Sequence, residues 1–507
     1  MICMQWQHSL NWSKLFLRSL WMSKSLIKNS FFNVIYQLLN VLFPLVTAPY
    51  VARILLPDDV GKVAVAQNWA QYFIVFAALG LPTYAVREIA QHRKNKDELN
   101  RAFTELVIIN AVSTSISVIA YTIMLFTFGT FRENMALYLA VGAGIVFNYI
   151  TIDWLYQGLE DFEYIAMRSF IVKLMSLIAL LVFVRNENDF VIYALITTGA
   201  IGLNNIFNVC NLPKIHIRLN FKLLTFRQHI KPVLIFFTQS ITVKLYTLFN
   251  VTLLGILSSD AAVAYYTNTD KIARVLVNVI AAIGSTLLPR LSVYAQHNEK
   301  EKCSNVVATV FSILFFIFVP TGIGLLLMSK EVVLILYGIQ YAPSITTMQI
   351  MSLMIYTLGF NNLFITILLA FGKEKENLIC AVLGALTCLS LNFLLIPHLQ
   401  QNGTAIAATV SEAIVSGVAL FFASHIIKLR FNIAIILKTI CATVAMGIVV
   451  EILKLLISNI VLCFIACIGF GVLTFVIISW VLRNPILFQL LDMTIGRKVD
   501  RSRHYRH

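Results

Sequence analysis

Charged residues are scarce in this sequence. Asp, Glu, Lys and Arg together make up 12% of its 507 residues, whereas hydrophobic residues make up 59%. Typical globular domains are about 45–50% apolar and about 25% charged. A soluble chain with this composition would lack the charge needed to cover its exterior. The composition therefore excludes a soluble protein and indicates an integral membrane protein.

The sequence also lacks the motifs of several enzyme and pump classes. GKV at 61–63 and GKE at 372–374 both depart from the phosphate-binding GxxxxGK[ST] loop, which excludes ATP hydrolysis by the chain itself. No HExxH motif or Cys/His cluster indicates a metal, and no CxxC pair occurs among the eight cysteines. We therefore expect no cofactor and no metal, and favour a carrier driven by gradients.

Long apolar runs fill most of the chain. A membrane-spanning helix needs about 20 mostly apolar residues, and the sequence predicts fourteen such helices with no room for a soluble domain. The expected fold is thus all-α and integral to the membrane. The predicted spans are 30–52, 63–81, 105–128, 136–156, 169–184, 190–212, 232–257, 264–288, 306–328, 346–370, 377–396, 404–426, 438–458 and 460–482.

Basic residues indicate the orientation of the spans. The chain has 39 Lys and Arg against 24 Asp and Glu, a net charge of +15. If the N-terminus is cytoplasmic, 28 of the 39 fall in cytoplasmic segments and only five in outside loops, as the positive-inside rule requires. We predict cytoplasmic termini, with a cytoplasmic N-terminal segment 1–29, a basic loop 213–231 and a basic tail 483–507. Residues before Met22 are interpreted as an upstream extension or an interfacial segment.

A few charged residues lie deep inside the predicted spans. Lys244 is at the middle of the seventh, Asp270 and Arg274 lie in the eighth, and Glu412 is near the middle of the twelfth. A charge at the bilayer centre costs about 2.5–3.5 kcal/mol on insertion scales, and such residues normally face a bundle interior or a wet cavity. These four are candidate functional residues.

The cations among them predict an anionic ligand. Lys244, Lys271 and Arg274 form a cationic cluster on two consecutive helices, and phosphate or pyrophosphate suits such a cluster. Asp270 and Glu412 are candidate proton-coupling acids, since burial penalises a charged carboxylate. The alternative for Asp270 and Arg274 is an internal ion pair that locks helices, because their i,i+4 order is favourable.

Several short strings, in order and spacing, resemble those of one transporter family. The first string is an entry signature at the end of the first helix, the second follows the second helix, and the third lies at the end of the fourth helix. The strings are ARILLP at 52–57 with Gly61, GLPTYAVREIA at 80–90, DWLYQGLE at 153–160, LG at 254–255, YY at 265–266, DKI at 270–272, LPR at 288–290, NFLLIP at 392–397 and GTAIA at 403–407. The chain resembles Wzx-like oligosaccharide flippases of the multidrug/oligosaccharidyl-lipid/polysaccharide exporter superfamily.

The resemblance implies an architecture and a function. It implies two six-helix lobes, 30–212 and 232–426, around a central cavity, with two extra helices in 427–482. It implies a transporter of undecaprenyl-pyrophosphate-linked oligosaccharide in the bacterial cytoplasmic membrane, serving surface polysaccharides such as O-antigen or capsule. Membrane lipids are expected partners, as is association with a polysaccharide polymerase and chain-length machinery. No nucleic acid is expected.

The resemblance and the charges together suggest roles for single residues. Lys244, Lys271 and Arg274 are predicted to bind the headgroup, and Arg53 either guides its release or caps the first helix. Asp270 or Glu412 is predicted to couple an ion, and Asp153 with Arg87 to help close the cytoplasmic side. These three assignments, of binding, coupling and gating, are the expectations for the site.

Two other functions stay open. A multidrug or cation antiporter shares the superfamily's architecture, but a cationic drug would prefer an acidic cavity to a basic one. A multispanning polymerase or glycosyltransferase usually carries a large catalytic loop outside, and the longest outside connection here, 329–344, is short. Both fit the sequence less well than the flippase does.

Overall fold

The computed structural model describes residues 29–495 except 30, 223, 285–290, 292, 296 and 298. Most of these residues are helical, and no β-strand occurs among them. Among the described residues, ten helices are long and apolar enough to cross a membrane, and two shorter apolar helices accompany them. The predicted all-α membrane architecture is confirmed. The predictions for residues before Met22, for LPR at 288–290 and for the end of the tail lie outside the described residues.

The described helices are numbered here in chain order. Those of the first half are α1 Phe31–Ile54, α2 Pro57–Ala78, α3 Leu81–His92, α4 Lys96–Thr127, α5 Gly129–Glu133, α6 Met135–Phe147, α7 Asp153–Gly158, α8 Phe162–Phe183 and α9 Phe190–Asn211. Those of the second half are α10 Arg227–Leu257, α11 Asp260–Gly284, α12 Lys300–Leu327, α13 Ser329–Leu336, α14 Ser344–Ala370, α15 Glu374–Ile426, α16 Ile433–Leu456, α17 Ile460–Val481 and α18 Pro485–Ile495.

The chain forms two compact units. The first contains the described residues up to Thr47 together with Ala66–Leu248. The second contains Ala48–Val65 and the described residues from Phe249 onward. The helices α1, α2 and α10 each contribute to both units. The lobe boundaries expected from the sequence, 30–212 and 232–426, stay a prediction.

Where the residues are described, most of the predicted spans lie within helices, and the observed helices often begin earlier. The fifth span was predicted at 169–184, whereas α8 begins at Phe162. The Asp161 side chain caps this helix by accepting a hydrogen bond of 3.3 Å from the Tyr164 amide. Side-chain caps satisfy amides that a helix start leaves without partners. The apolar run therefore predicts the helix interior and misses its polar first turns.

A left-handed glycine ends the second span. After α2, Gly80 has φ 72° and α3 follows at once with Pro82 in its first turn. A Cβ atom on Gly80 would lie 2.4 Å from the backbone nitrogen of Phe237 in α10. Glycine is therefore required at position 80 for two reasons. It adopts the positive φ without strain, and it leaves room for the backbone of α10.

The fourth predicted span, 136–156, is not one continuous helix. The helix α6 ends at Phe147, and α7 begins only at Asp153. Side chains from neighbouring helices bind the break: the Asn110 amide donates to the Asn148 carbonyl at 2.6 Å, and the Asn205 amide donates to the Thr151 hydroxyl at 2.7 Å. Irregular backbone is tolerated at membrane depth only where protein groups satisfy it, so these asparagines permit the break.

The eleventh and twelfth spans form the two halves of α15. Gln400 has non-helical angles, φ 49° and ψ −127°, and Pro397 lies one turn before it. A Cβ on Gly403 would approach the Leu395 carbonyl to 2.7 Å. Proline removes a helix hydrogen bond, and glycine permits the tight approach across the kink.

The start of the predicted basic tail, 483–507, is helical and packs against other helices. Ile486 and Leu487 of α18 are buried. They cluster with Phe316 of α12 and Phe475 of α17. Apolar burial of this kind stabilises a helix that is too short to persist alone.

The start of α2 contacts the start of α11 backbone to backbone. A Cβ on Gly61 would lie 1.8 Å from the carbonyl oxygen of Asp260. The Asp58 carboxylate also accepts a hydrogen bond of 3.2 Å from the Ala261 amide. Gly61 belongs to the entry signature, and its role in this structure is to allow the contact.

We predict that Gly61→Ala lowers the melting temperature of the purified protein in detergent. The added methyl must displace backbone, and overpacking of this kind costs about 1–3 kcal/mol. Gly199→Ala in α9 is the matched control, since a Cβ there meets no atom within 4 Å. Thermal unfolding followed by fluorescence measures both variants. Equal melting temperatures would show that the close contact contributes nothing to stability.

Candidate functional site

The predicted ion pair on α11 is present. The Nε atom of Arg274 lies 2.7 Å from Oδ2 and 2.9 Å from Oδ1 of Asp270, one helical turn earlier. The Arg274 side chain is 32% exposed and that of Asp270 17%. Within the described part of the chain, the two terminal guanidinium nitrogens have no hydrogen-bond partner. Arg274 is thus neutralised by a neighbour while its outer edge keeps its donors for another anion.

Lys271 is held more weakly, next to this pair. Its Nζ lies 3.3 Å from the Oδ1 atom of buried Asn268. The Tyr337 hydroxyl fixes this part of α11 by donating to the Asn268 carbonyl at 3.0 Å. Lys271 is partly buried and forms no ion pair with a described residue. Lys271 and Arg274 thus lie on one helix segment, and the predicted cluster with Lys244 stays a prediction.

A buried amide network lies one turn before Asp270. The Asn250 amide donates to the Tyr266 hydroxyl at 3.2 Å, and Asn250 Oδ1 accepts from Asn392 at 2.8 Å and from the Cys388 thiol at 2.9 Å. Satisfied polar networks in a low-dielectric interior rigidify the segments that carry them. This network joins α10, α11 and α15 behind the ion pair, and the sequence reasoning missed it.

Glu412 is buried on the second half of α15. Its side chain accepts a hydrogen bond of 3.1 Å from the Asn361 amide of α14. The residue is 5% exposed. A buried carboxyl next to a neutral amide partner is a group that can exist with or without its proton. Glu412 is therefore buried within the protein, whereas its coupling role stays a prediction.

The other two predicted headgroup ligands have different surroundings. Lys244 lies at the middle of α10, in the first unit, with an exposed side chain. Its membership of one site with Lys271 and Arg274 stays a prediction. Arg53, at the end of α1, donates a hydrogen bond to the Ile335 carbonyl of α13. This contact fits the capping alternative for Arg53.

The two predicted cytoplasmic gating residues do not contact each other. Arg87 is exposed on α3, and no ion pair joins it to Asp153 among the described residues. Asp153 instead accepts from Arg168 Nη1 at 2.7 Å and from the Asn208 amide at 2.5 Å. Arg168 is 5% exposed, although the predicted span 169–184 does not include it. The early start of α8 at the Asp161 cap is the signal that would have placed it.

The sequence reasoning also missed a buried triad in the first unit. His229 at the start of α10 lies 2.7 Å from Glu105 Oε2 through its Nε2, and 2.6 Å from the Tyr84 hydroxyl through its Nδ1. Arg101 Nε donates to the other Glu105 oxygen at 3.1 Å. These side chains tie α3, α4 and α10 together. A lone histidine in a basic segment gives no sequence signal for such a role.

No group of three or more His, Cys, Asp or Glu side chains that could hold a metal occurs in the described part of the chain. Within the second unit, α11 brings Asp270, Lys271 and Arg274 together. The two cations of this arrangement can bind an anion.

Comparison with known proteins gives relatives that are transporters and flippases. A protein of Escherichia coli K12 described as "Putative O-antigen transporter" is 23% identical over 414 residues, covering 78% of this chain and 96% of that protein. The structure titled "Lipid II flippase MurJ, inward closed conformation" superposes with a TM-score of 0.72 at 14% identity, covering 93% of this chain and all of that one. An inward-facing MATE family transporter of the MOP superfamily gives 0.62 at 13% identity, covering 76% and 94%.

These similarities confirm the fold and the kind of protein that the sequence predicted. At 14% and 13% identity the two solved structures show the fold alone. The prediction of a multi-pass membrane transporter rather than an enzyme is confirmed. The family described as "Polysaccharide biosynthesis protein" matches residues 26–295, more than half of the chain. The chain therefore belongs to the polysaccharide biosynthesis protein family, as its motifs indicated.

Proposed function

We propose that this protein is a flippase for undecaprenyl-pyrophosphate-linked oligosaccharide. It moves the repeat unit from the cytoplasmic to the outer leaflet of the bacterial cytoplasmic membrane, with both of its own termini cytoplasmic. Family membership, the name of the E. coli relative and the fold shared with a Lipid II flippase support this proposal. A polysaccharide polymerase and chain-length machinery would use its product.

The segment of α11 with Lys271 and Arg274 carries the proposal. Cations within a membrane span normally mark a pathway or a ligand, and here one guanidinium keeps its two terminal nitrogens without protein partners in the described structure. Two such donors fit two oxygens of a phosphoryl group, and a neighbouring ammonium adds a point charge. A pyrophosphate with its sugar is the ligand chemistry that these side chains suit.

The transport mechanism follows from the cost of the cargo. A bare sugar-pyrophosphate in hydrocarbon would leave its charges and hydroxyls unsatisfied. A polar path through the protein removes most of this cost while the polyprenyl tail stays among lipids. Alternating access then exposes the headgroup first to one side and then to the other. Lys244 would add a third positive charge to this path.

Between the two candidate coupling acids, the surroundings favour Glu412. Asp270 is balanced by Arg274 at 2.7 Å, so removing its charge would leave that arginine without its counter-ion. Glu412 accepts a hydrogen bond from the neutral Asn361 amide, a donor that can serve the carboxyl group with or without its proton. We therefore assign proton or ion coupling to Glu412. Arg53 and Asp153 then have structural roles at the helix ends.

A paired neutralisation separates headgroup binding from a structural lock. We expect Asp270→Asn with Arg274→Gln to keep the segment neutral and inserted, yet to lower transport by about tenfold or more. Hydrogen bonds to charged groups are worth about 1.5–3 kcal/mol, which corresponds to that range. Surface polysaccharide and cytoplasmic-leaflet lipid-linked oligosaccharide in the native host are the measurements, with protein level determined in parallel.

The ion pair Glu451–Lys454 in α16 provides the matched control, with its Nζ and Oε1 atoms 3.1 Å apart near the end of that helix. Glu451→Gln with Lys454→Gln should leave transport unchanged. If the α11 double variant transports normally, the pair is a lock between helices and the headgroup assignment is wrong.

The assignment of Glu412 makes a second prediction. Glu412→Gln keeps an amide in place of the carboxyl but cannot release a proton, so we expect transport to become independent of the proton gradient or to stop. Reconstituted vesicles with an imposed pH difference measure this. Glu376→Gln on the exposed start of α15 is the control. A gradient dependence equal to that of the unaltered protein would exclude Glu412 as the coupling acid.

Because the fold is similar to that of MATE transporters, a multidrug or cation antiporter is the second candidate function. Its cargo would be cationic, and the charges of Lys271 and Arg274 repel such a cargo. Expression in a drug-sensitive host distinguishes the two. Resistance to cationic drugs with normal surface polysaccharide after depletion in the native host would favour the antiporter.

A further inference from the structure

A groove runs between α8 and α9 in the first unit. Its volume is about 230 Å³, and most of its walls are apolar. Met167 and Ile171 of α8 and Phe207 of α9 line it, and their side chains are 57%, 44% and 36% exposed. The outward face of α8 continues with further exposed apolar residues, such as Leu174 and Ile178. In a membrane helix, a face of this kind contacts lipid chains.

A buried arginine forms part of the groove wall. Arg168 lines the groove and is only 5% exposed. Its Nη1 is bound to Asp153, but its Nε atom is buried without a hydrogen-bond partner among the described residues. An unused buried donor on a charged group carries a desolvation cost, so a ligand acceptor that reached it would be stabilised.

Lys214 adds a positive charge at one end of the groove. It lines the groove just beyond the C-terminus of α9, and its side chain is exposed. No acidic side chain forms an ion pair with it in the described structure. Asp153 balances the charge of Arg168, so the net charge of the groove is set by Lys214. The groove thus combines an apolar wall with a cationic end on the side of the basic loop 213–231.

We propose that this groove binds an anionic phospholipid of the membrane. The phosphate lies at Lys214 with the Nε of Arg168 as a further donor, and an acyl chain follows Met167, Ile171 and Phe207. Basic pockets between helices on the Lys- and Arg-rich side of a membrane bind lipid headgroups in this way. A free phosphate would leave the apolar wall uncovered, whereas a lipid covers both parts. The site is separate from the proposed transport path on α11.

Lipid titration of the purified full-length protein tests the site. Native mass spectrometry would compare phosphatidylglycerol with zwitterionic phosphatidylcholine, and we expect phosphatidylglycerol to bind more tightly. Lys214→Gln should weaken that binding about fivefold, since one lysine near an anionic lipid contributes about 1 kcal/mol. Lys222→Gln, an exposed lysine of the same loop outside the groove, should change nothing. Equal losses in the two variants would overturn the proposal.

Two competitors identify other sources of the same chemistry. If inorganic phosphate displaces phosphatidylglycerol at equal concentration, the groove binds the phosphate group alone and the acyl chain contributes nothing. The lipid proposal then fails. If a polyprenyl pyrophosphate binds there more tightly and with the same dependence on Lys214, the groove is a substrate site instead. Neither result depends on whether the protein transports, so the proposed function can fail independently.

An exposed cysteine in the groove gives a second readout. Cys210 lines the groove, whereas Cys441 is an exposed cysteine of α16 outside it. Phosphatidylglycerol should slow alkylation of Cys210 by a maleimide and leave Cys441 unaffected, and Lys214→Gln should remove the protection. The same lipid effect at both cysteines, or at neither, would contradict the site.

Discussion

Hydrocarbon offers no hydrogen bonds, and this constraint governs the structure wherever its helices depart from regularity. The break between α6 and α7 is closed by asparagine side chains of α4 and α9. Asp270 neutralises Arg274, and Asp153 neutralises Arg168. In each case a polar group inside the protein is paired with another protein group at 2.5–2.9 Å. Such pairing leaves some donors over, as at the outer edge of Arg274, where the proposed headgroup would bind.

The sequence predicts helix interiors well because an apolar run of about 20 residues has few other uses. It predicts their ends less well. The start of α8 at Phe162 depends on the Asp161 cap, and the end of α6 depends on Asn110 and Asn205, which approach from other helices. A hydropathy pattern contains no information about the cap or about side chains that approach from other helices. Arg168 lies outside the predicted span 169–184 for the same reason, since only the observed start of α8 at Phe162 includes it in the helix.

In the candidate site, too, the sequence predicts the local contacts and misses the contacts between distant residues. The pairing of Asp270 with Arg274 follows from their spacing on one helix, so the sequence could predict it. The Asn250–Asn392 and Glu105–His229 bonds join residues 142 and 124 positions apart, and no local pattern contains that information. Many of the family's motif residues pack rather than react. Gly61 and Gly80 admit neighbouring backbone, and Gly158 of the fourth-helix motif faces Ile89, whose side chain a Cβ would meet at 2.7 Å. The motifs thus identify the fold, whereas the chemistry proposed for the charged residues stays a prediction.

The pairing of Asp153 with Arg168 bears on how the chain is made. The two residues are 15 positions apart, so they leave the ribosome almost together. An unpaired arginine at the centre of a span costs about 2.5–3.5 kcal/mol on insertion scales. Arg168, in the second turn of α8, would bear part of that cost if this helix entered the bilayer by itself. Asn208, which binds both residues, arrives 40 positions after Arg168. The segment from α7 to α9 is therefore suited to leave the translocon as one assembled hairpin, with its counter-ion already in place.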